Sequence, residues 1–410
     1  MLVALYLTVG HRVRISQWHV TPATNAALEE ALMWKQGRLH LEQNDYEVAR
    51  EGERRYNVVG LAFVLLSVIG TTLGEIGGHP PGSFYGPHYA ILVALPLPIA
   101  AYAAFRTVTR SSPWAAVFAG YLIVGTPLLP VLQACQGGVH GASIYEINHV
   151  LAVTGLLIFA ADLLGPRRIW PAVLGLMLAA WSRQMTMIYL PALLWLAWRH
   201  GTGDTAVHAQ PAAPACYIAP SAARRRRALR IAAAGATVIL AVPMTLNFLK
   251  FGNPLETGYA RLYEGRTDPI GRRGQQQTFG LRYVAQNAHA MHMAFPSWTI
   301  RAGALRPETA GVDGASIWLT MPLLLGVPLT IRRWASDCIP RALLLSGMAV
   351  MAGLLTYHTS GANDAGYYRY ALDFVPVWLL VIAPWMLSPR VRPWTLMALA
   401  WSALYFNLLP

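Results

Sequence analysis

Long apolar stretches separated by short polar connectors run through most of this chain. Residues 87–105, 114–132, 144–164, 229–249, 316–331, 341–357, 371–388 and 393–410 each carry an almost unbroken apolar run. A helix rises about 1.5 Å per residue, so about 20 apolar residues match a hydrocarbon core of roughly 30 Å. Backbone amides in lipid must find partners within their own segment, which makes helices the expected spanning unit. The ten-residue alternation of a membrane barrel is absent. Residues 169–198 are apolar except for Ser182, Arg183 and Gln184 near their middle. One helix of that length would reach about 45 Å, too long for a single crossing. Two short spans with a tight outer turn at 182–184 are expected instead. The pattern predicts an all-α, polytopic membrane bundle of about 10–11 spans, forming a single membrane domain over residues 1–410.

Charge in the connectors gives the bundle a direction. Every second connector is basic: Arg106 and Arg110, Arg167 and Arg168, Arg199 with Arg224 to Arg227 and Arg230, Arg332, Arg333 and Arg341, Arg390 and Arg392. Short loops rich in Lys and Arg stay on the cytoplasmic side. Two arginines break this rule, Arg183 and Arg369, which fall at the opposite, outer ends of their segments.

Some segments are less regular. Residues 1–10 are apolar but would reach only about 15 Å as a helix; they look like the tail of a first span that begins upstream. Residues 58–76 read either as a full span, which puts 11–57 in the cytoplasm, or as an interfacial helix, which puts 11–57 outside. Gly60, Gly70, Gly74, Gly77 and Gly78 make the segment a poor simple helix and favour the external placement. The stretch TPATNAALEEAL within 11–57 reads as a capped amphipathic helix. Residues 201–228 are rich in Ala, Pro and Gly and end in four arginines, as expected of a disordered, basic cytoplasmic linker. Residues 250–315 form a large external loop, and within it FGLRYVAQNAHAMHMAFPSW looks like a helix lying at the interface.

The chain has 410 residues, 55% hydrophobic and 12% charged, about half the charge of an average soluble domain. Its net charge of +13 sits mostly in the basic connectors, so membrane lipid headgroups, not nucleic acid, are the expected partners. Cys135, Cys216 and Cys338 show no disulfide or metal spacing.

Chemistry is sought among the costly charges. A buried arginine near a membrane is by default a functional hypothesis, and the planar fork of Arg183 suits a phosphate at headgroup level; the plainer reading is snorkelling to lipid. Arg369 precedes Asp373 by four residues, one face of an α-helix. Asp373 would either pin the loop or position Arg369 for a phosphate or sugar. Tyr367, Tyr368 and Tyr370 serve such a site or an interfacial belt. Glu29 and Glu30, with Glu42, Asp45 and Glu47 beyond, supply external carboxylates. Such a group could act as general base or hold a divalent metal, Mg or Mn, although surface carboxylates are usually just solvated. His140 and His149, with Glu146, flank the outer entrance of 144–164 and could donate to a phosphate. His289 and His292 lack an evident third ligand and read as structural. Glu75 has no assigned role. No P-loop, HExxH, GxSxG or dinucleotide fingerprint appears, and no cofactor is called for.

Five stretches occur in order: EEALMWKQGRLHL with EGERRYNV, GLMLAAWSRQMTMIYLPALL, NFLKFGNPLETGY, FGLRYVAQN and GYYRYALDFVPVWLL. Together they resemble the bacterial GT-C membrane glycosyltransferases, near the dolichyl-phosphate-mannose-type and lipid A sugar transferases. The resemblance implies a GT-C fold and transfer of a sugar from a polyprenyl-phosphate donor on the outer face of the inner membrane. Residues 11–86 would be the first external loop, with 58–76 as a juxtamembrane helix. The family's mid-chain arginine would fall on Arg183, and its late Arg-Tyr pair on Arg369 and Tyr370. One departure stands out: the acid expected soon after the first span is replaced by Asn25, and Glu29 and Glu30 are the nearest substitutes. The resulting expectation is a glycosyltransferase with Glu29 or Glu30 as the catalytic carboxylate that deprotonates or orients the acceptor, and with Arg183, Arg369, Tyr370, Asp373 and His140 binding substrate. The alternatives are a non-catalytic chain on the same scaffold and a transporter or flippase of lipid-linked sugars.

Overall fold

The computed structural model describes residues 22–23, 25–44, 48–79, 90–135, 143–199, 222–264, 267, 269–301, 304–308, 315–334, 337–359, 361 and 367–408. The short apolar start at 1–10, Asp45, Glu47, His140 and Cys216 lie outside them. In chain order the first elements are α1 (Ala26–Lys35), the hairpin β1 (Val48–Glu51) and β2 (Arg54–Asn57), and α2 (Leu61–Ile76). There follow α3 (Pro96–Thr109), α4 (Ser112–Val124), α5 (Leu128–Ala134), α6 (Ser143–Leu164), α7 (Trp170–Ser182), α8 (Leu190–Arg199) and α9 (Ala222–Phe251). The segment after α9 holds α10 (Tyr259–Leu262), α11 (Pro269–Gln276), α12 (Val284–Ala288) and a second hairpin, β3 (Ser297–Arg301) with β4 (Ala304–Glu308). The chain closes with α13 (Ile317–Thr320), α14 (Gly326–Trp334), α15 (Cys338–Leu355), α16 (Val375–Met386) and α17 (Arg392–Leu408). Helix dominates as expected, and the two small antiparallel hairpins are the departure from an all-α reading.

Among the described residues four helices are long and apolar enough to cross a membrane: Leu92–Thr109, Tyr145–Leu164, Ala222–Phe251 and Cys338–Leu355. A fifth crossing results if α4 and α5, bent by 55°, are one broken span. Several other predicted spans are interrupted helices. The 114–132 run divides around Thr126, whose hydroxyl bonds back to the Leu122 carbonyl (2.6 Å). The 316–331 run divides at Met321, held out of the helical region (φ −132°, ψ 67°) ahead of Pro322.

The break at Arg183 is a reversal of direction, which neighbouring contacts on α9 reveal. Val173 lies against Gly235, Trp181 donates to the Ile239 carbonyl (3.2 Å), and Trp198 then returns to Arg225. The chain climbs along α9 as α7 and descends again as α8, so the outer turn forms where the sequence puts it. Pro243 explains the docking point. Proline has no N–H and leaves the carbonyl four residues before it unpaired; in α9 that carbonyl belongs to Ile239, and the Trp181 indole satisfies it.

Three of the basic connectors meet: Gly165 lies against Thr107, and Arg392 sits over Trp114 (5.8 Å). Arg225 sits over Trp198 (4.8 Å), where α8 ends and α9 begins. The arginine run 224–227 forms the first turns of α9 and is helical, so it does not belong to the disordered linker expected over 201–228; residues 201–221 lie outside the described ones. Lys250 ends the same helix, about 35 Å from that run at about 1.5 Å per residue.

Helix α2 stays with α1. Gly60, at φ 61°, enters it so close to Asn148 that a Cβ would overlap that side chain. At its far end Glu75 accepts from Lys35 (2.6 Å), and Ile69, Leu73 and Ile76 are left exposed. At 16 residues α2 is shorter than the helices that qualify as spans.

Helices α6 and α7 cross backbone to backbone. A Cβ on Gly155 would lie 2.4 Å from the Gly175 carbonyl oxygen, and one on Gly175 would lie 2.6 Å from that of Gly155. Small residues allow this approach between membrane helices. Gly155→Leu should separate the pair and cost about 1–3 kcal/mol, read as a lower melting temperature of the purified protein in detergent; an unchanged melting curve would refute the close crossing.

Candidate functional site

The first wall of the site is the turn between α7 and α8. Arg183 ends α7 in extended conformation (φ −137°, ψ 102°), and its carbonyl accepts from the Thr186 hydroxyl (2.8 Å) as a 3-10 turn begins. Its guanidinium grips Asp373 with two bonds, Nε to Oδ1 at 3.2 Å and Nη2 to Oδ2 at 3.0 Å. The Asp373 side chain is fully buried, whereas that of Arg183 keeps 15% exposure. Burial opposes the charged guanidinium, but the Asp373 carboxylate more than offsets this and raises the Arg183 pKa above its ordinary value.

A second pair lies behind the first. Arg369 donates to Glu146 (3.1 Å), and its guanidinium is likewise held above its ordinary pKa: Tyr370 and Glu146 outweigh the opposing effect of burial. The Tyr370 ring receives both arginines, Arg183 at 4.7 Å and Arg369 at 5.5 Å. His149 lies on the same ring (5.9 Å), with Nδ1 3.8 Å from Asp373 Oδ1. Both ring nitrogens of this buried histidine are without a hydrogen-bond partner among the described residues.

A second wall comes from α1 and the end of α9. Asn25 caps α1 by accepting from the Ala27 and Leu28 amides (3.1 and 3.0 Å), a task for a short polar side chain. Glu30, one turn on, pairs with Lys250 (2.6 Å), and the two side chains are only 2% and 8% exposed. Asn57 ties both: its amide donates to Glu30 (2.8 Å), and its carbonyl accepts from Lys250 (2.8 Å).

Among these side chains lies a cleft, partly open to solvent. Arg183, Glu30 and Lys250 line it, with Tyr145, Tyr259 and Asn148. It therefore presents two cations, one carboxylate and aromatic side chains, which suits an anionic ligand carrying a polar body.

Of the sequence-predicted residues, Arg183 and Glu30 line the cleft. Glu29 does not. Its carboxylate accepts from the backbone amides of Glu42, Gln43 and Asn44 (2.6, 2.6 and 2.8 Å), so it folds a loop and is not a base. The expected Arg369–Asp373 pair is also corrected. Residues 369–373 form a 3-10 helix, whose tighter winding takes residues four apart off a common face. Arg369 turns to Glu146 and Asp373 to Arg183. Arg369, Tyr370 and Asp373 lie behind the cleft and do not line it. His140 lies outside the described residues. His292 accepts from the Trp318 indole (3.0 Å), and burial lowers its pKa. Among the described residues no group of three or more His, Cys, Asp or Glu is placed to hold a metal ion.

Lys250 and Asn57 escaped the sequence reading. A signal existed for Lys250: the chain has only two lysines, and this one breaks the basic-connector rule in the same way as Arg183 and Arg369. Asn57 carried no such mark. No protein-family model matches the chain, and no curated protein or solved structure is similar to it.

Removing one partner of a buried pair strands the other charge. Asp373→Ala should destabilise the protein by about 3–5 kcal/mol, while Asp373→Leu with Arg183→Met recovers most of it; thermal unfolding of the three proteins decides, and equal loss in both variants would contradict the pairing. Glu29→Ala should make the 42–44 loop the first site of limited proteolysis while the rest of the chain stays intact, since its amides lose a charged acceptor worth about 1.5–3 kcal/mol per bond. An unaltered cleavage pattern would show that Glu29 does not hold that loop.

Proposed function

We propose that this protein is a multi-pass membrane glycosyltransferase of the GT-C type, transferring a sugar from a polyprenyl-phosphate donor to a lipid, glycan or protein acceptor. The proposed setting is the extracytoplasmic face of a bacterial inner membrane. The observation that carries this reading is the cleft itself, lined by Arg183 and by the Glu30–Lys250 pair.

Two further features support it. The arginine run 224–227 begins α9 and the cleft-lining Lys250 stands in its last turn, so that run lies at the end of the helix away from the cleft, as a positive-inside segment would. The cleft-lining cations stand at helix ends, Arg183 after α7 and Lys250 in the last turn of α9. A transporter would carry its polar groups near the middle of broken helices, so this distribution favours an enzyme working at headgroup depth.

In the proposed reaction the donor phosphate lies between Arg183 and Lys250. Glu30 takes the proton of the acceptor hydroxyl as that oxygen bonds to the anomeric carbon. The bond from that carbon to the phosphate oxygen breaks, and its electron pair leaves with the carrier phosphate. Arg183 and Lys250 meet the negative charge that develops there, and the rings of Tyr145 and Tyr259 flank the sugar. Most of the rate comes from holding donor and acceptor in line.

Arg183→Lys keeps the charge but loses the planar fork, and should lower transfer about 100-fold or more in membranes holding normal amounts of the protein. The substrate is identified in lipid extracts of a deletion strain, where mass spectrometry should find carrier-linked sugar accumulating. Extracts identical to wild type, together with full activity of Arg183→Lys, would end this reading.

A further inference from the structure

Every cation at the cleft already has a carboxylate, and this raises the question of how an anion enters. Arg183 is held from behind by Asp373, which is fully buried and does not line the cleft. Its other guanidinium N–H groups remain available without disturbing that pair. Lys250 differs. Its carboxylate, Glu30, stands in the cleft with it, and the two form a nearly dry contact. An ammonium has three donors; one faces Glu30 and one the Asn57 carbonyl. A phosphate beside Lys250 would therefore lie next to the Glu30 carboxylate. Two like charges at close range in a site sheltered from water repel strongly.

We propose that the phosphate of the entering donor exchanges with Glu30 as the counter-ion of Lys250. The inference rests on the phosphate-carrier reading above and adds the order of events to it. Asn57 Nδ2 holds the second oxygen of Glu30 (2.8 Å), so the side chain can turn its first oxygen away from Lys250 without losing all its partners. That released oxygen faces the cleft. In the empty site Lys250 masks the carboxylate, and in the loaded site the same carboxylate is free to accept a proton. Glu30 thus becomes a base only once the phosphate is seated, and Lys250 is the residue that couples the two events.

The test uses the purified full chain in detergent. Its probes are a long-chain isoprenyl monophosphate, the uncharged isoprenol of equal length, and inorganic phosphate. Glu30→Gln removes the competing carboxylate while keeping a polar group of the same shape. The variant should melt lower than wild type, because Lys250 loses its partner in a dry site. It should nevertheless bind the isoprenyl monophosphate about tenfold tighter, and the phosphate should restore its melting temperature. Glu30→Gln with Lys250→Gln should lose that gain. Wild-type affinity in Glu30→Gln would overturn the exchange and leave the phosphate-carrier reading standing. Equal binding of the monophosphate and the isoprenol by the wild type would instead remove the carrier reading, and the exchange with it. Inorganic phosphate that reproduces the tightening would support the exchange and show that the headgroup alone drives it.

Discussion

The structure around the cleft depends on one contact, the two-bond grip of Arg183 on Asp373. It ties the turn between two short helices to a segment 190 residues away in the chain. Neither charge is cheap to shelter from water, and a pair of this kind is weak evidence for net stability. Its value lies in geometry. A guanidinium held by two bonds and resting on the Tyr370 ring is fixed in orientation, and its residue lines the cleft. The second pair, Arg369 with Glu146, closes on the same tyrosine from the other side.

Three cation–carboxylate pairs thus surround the site, and they are not equivalent. Two keep their carboxylates out of the cleft, in α6 and in the 3-10 segment before α16. The third places both members on its surface. The cleft wall consequently shows more positive than negative charge although each cation is neutralised, because Asp373 does its work from behind.

Much of this was legible in the sequence, and what was not has physical causes. Hydropathy alone located the long helices, and the reversal at 182–184 followed from a run too long for one crossing and interrupted at its middle. The one-sided arginines marked the basic connectors, three of which meet, and their exceptions pointed to Arg183. Pairing was the weak link. Spacing rules assume α-helical geometry, and the 3-10 winding at 369–373 sent Arg369 and Asp373 to different partners. Glu29 and Glu30 are adjacent in sequence but point to different tasks, one to a backbone loop and one to Lys250. No local pattern separates them; only the path of the chain after α1 does. Among the described residues fewer helices reach spanning length than there are apolar runs, and two of those runs are divided at Thr126 and Pro322.

Helix α9 carries arginines on its first turns and Lys250 on its last, with Trp181 bonded at the Pro243 kink between them. In a bilayer its lower end is fixed by the headgroups of one leaflet and its upper end by a carboxylate on a separate helix. A thinner bilayer tilts such a helix and a thicker one straightens it. For a helix so placed across a bilayer, either adjustment would shift Lys250 against Glu30, and the thickness of the surrounding lipid would become a coordinate of the site.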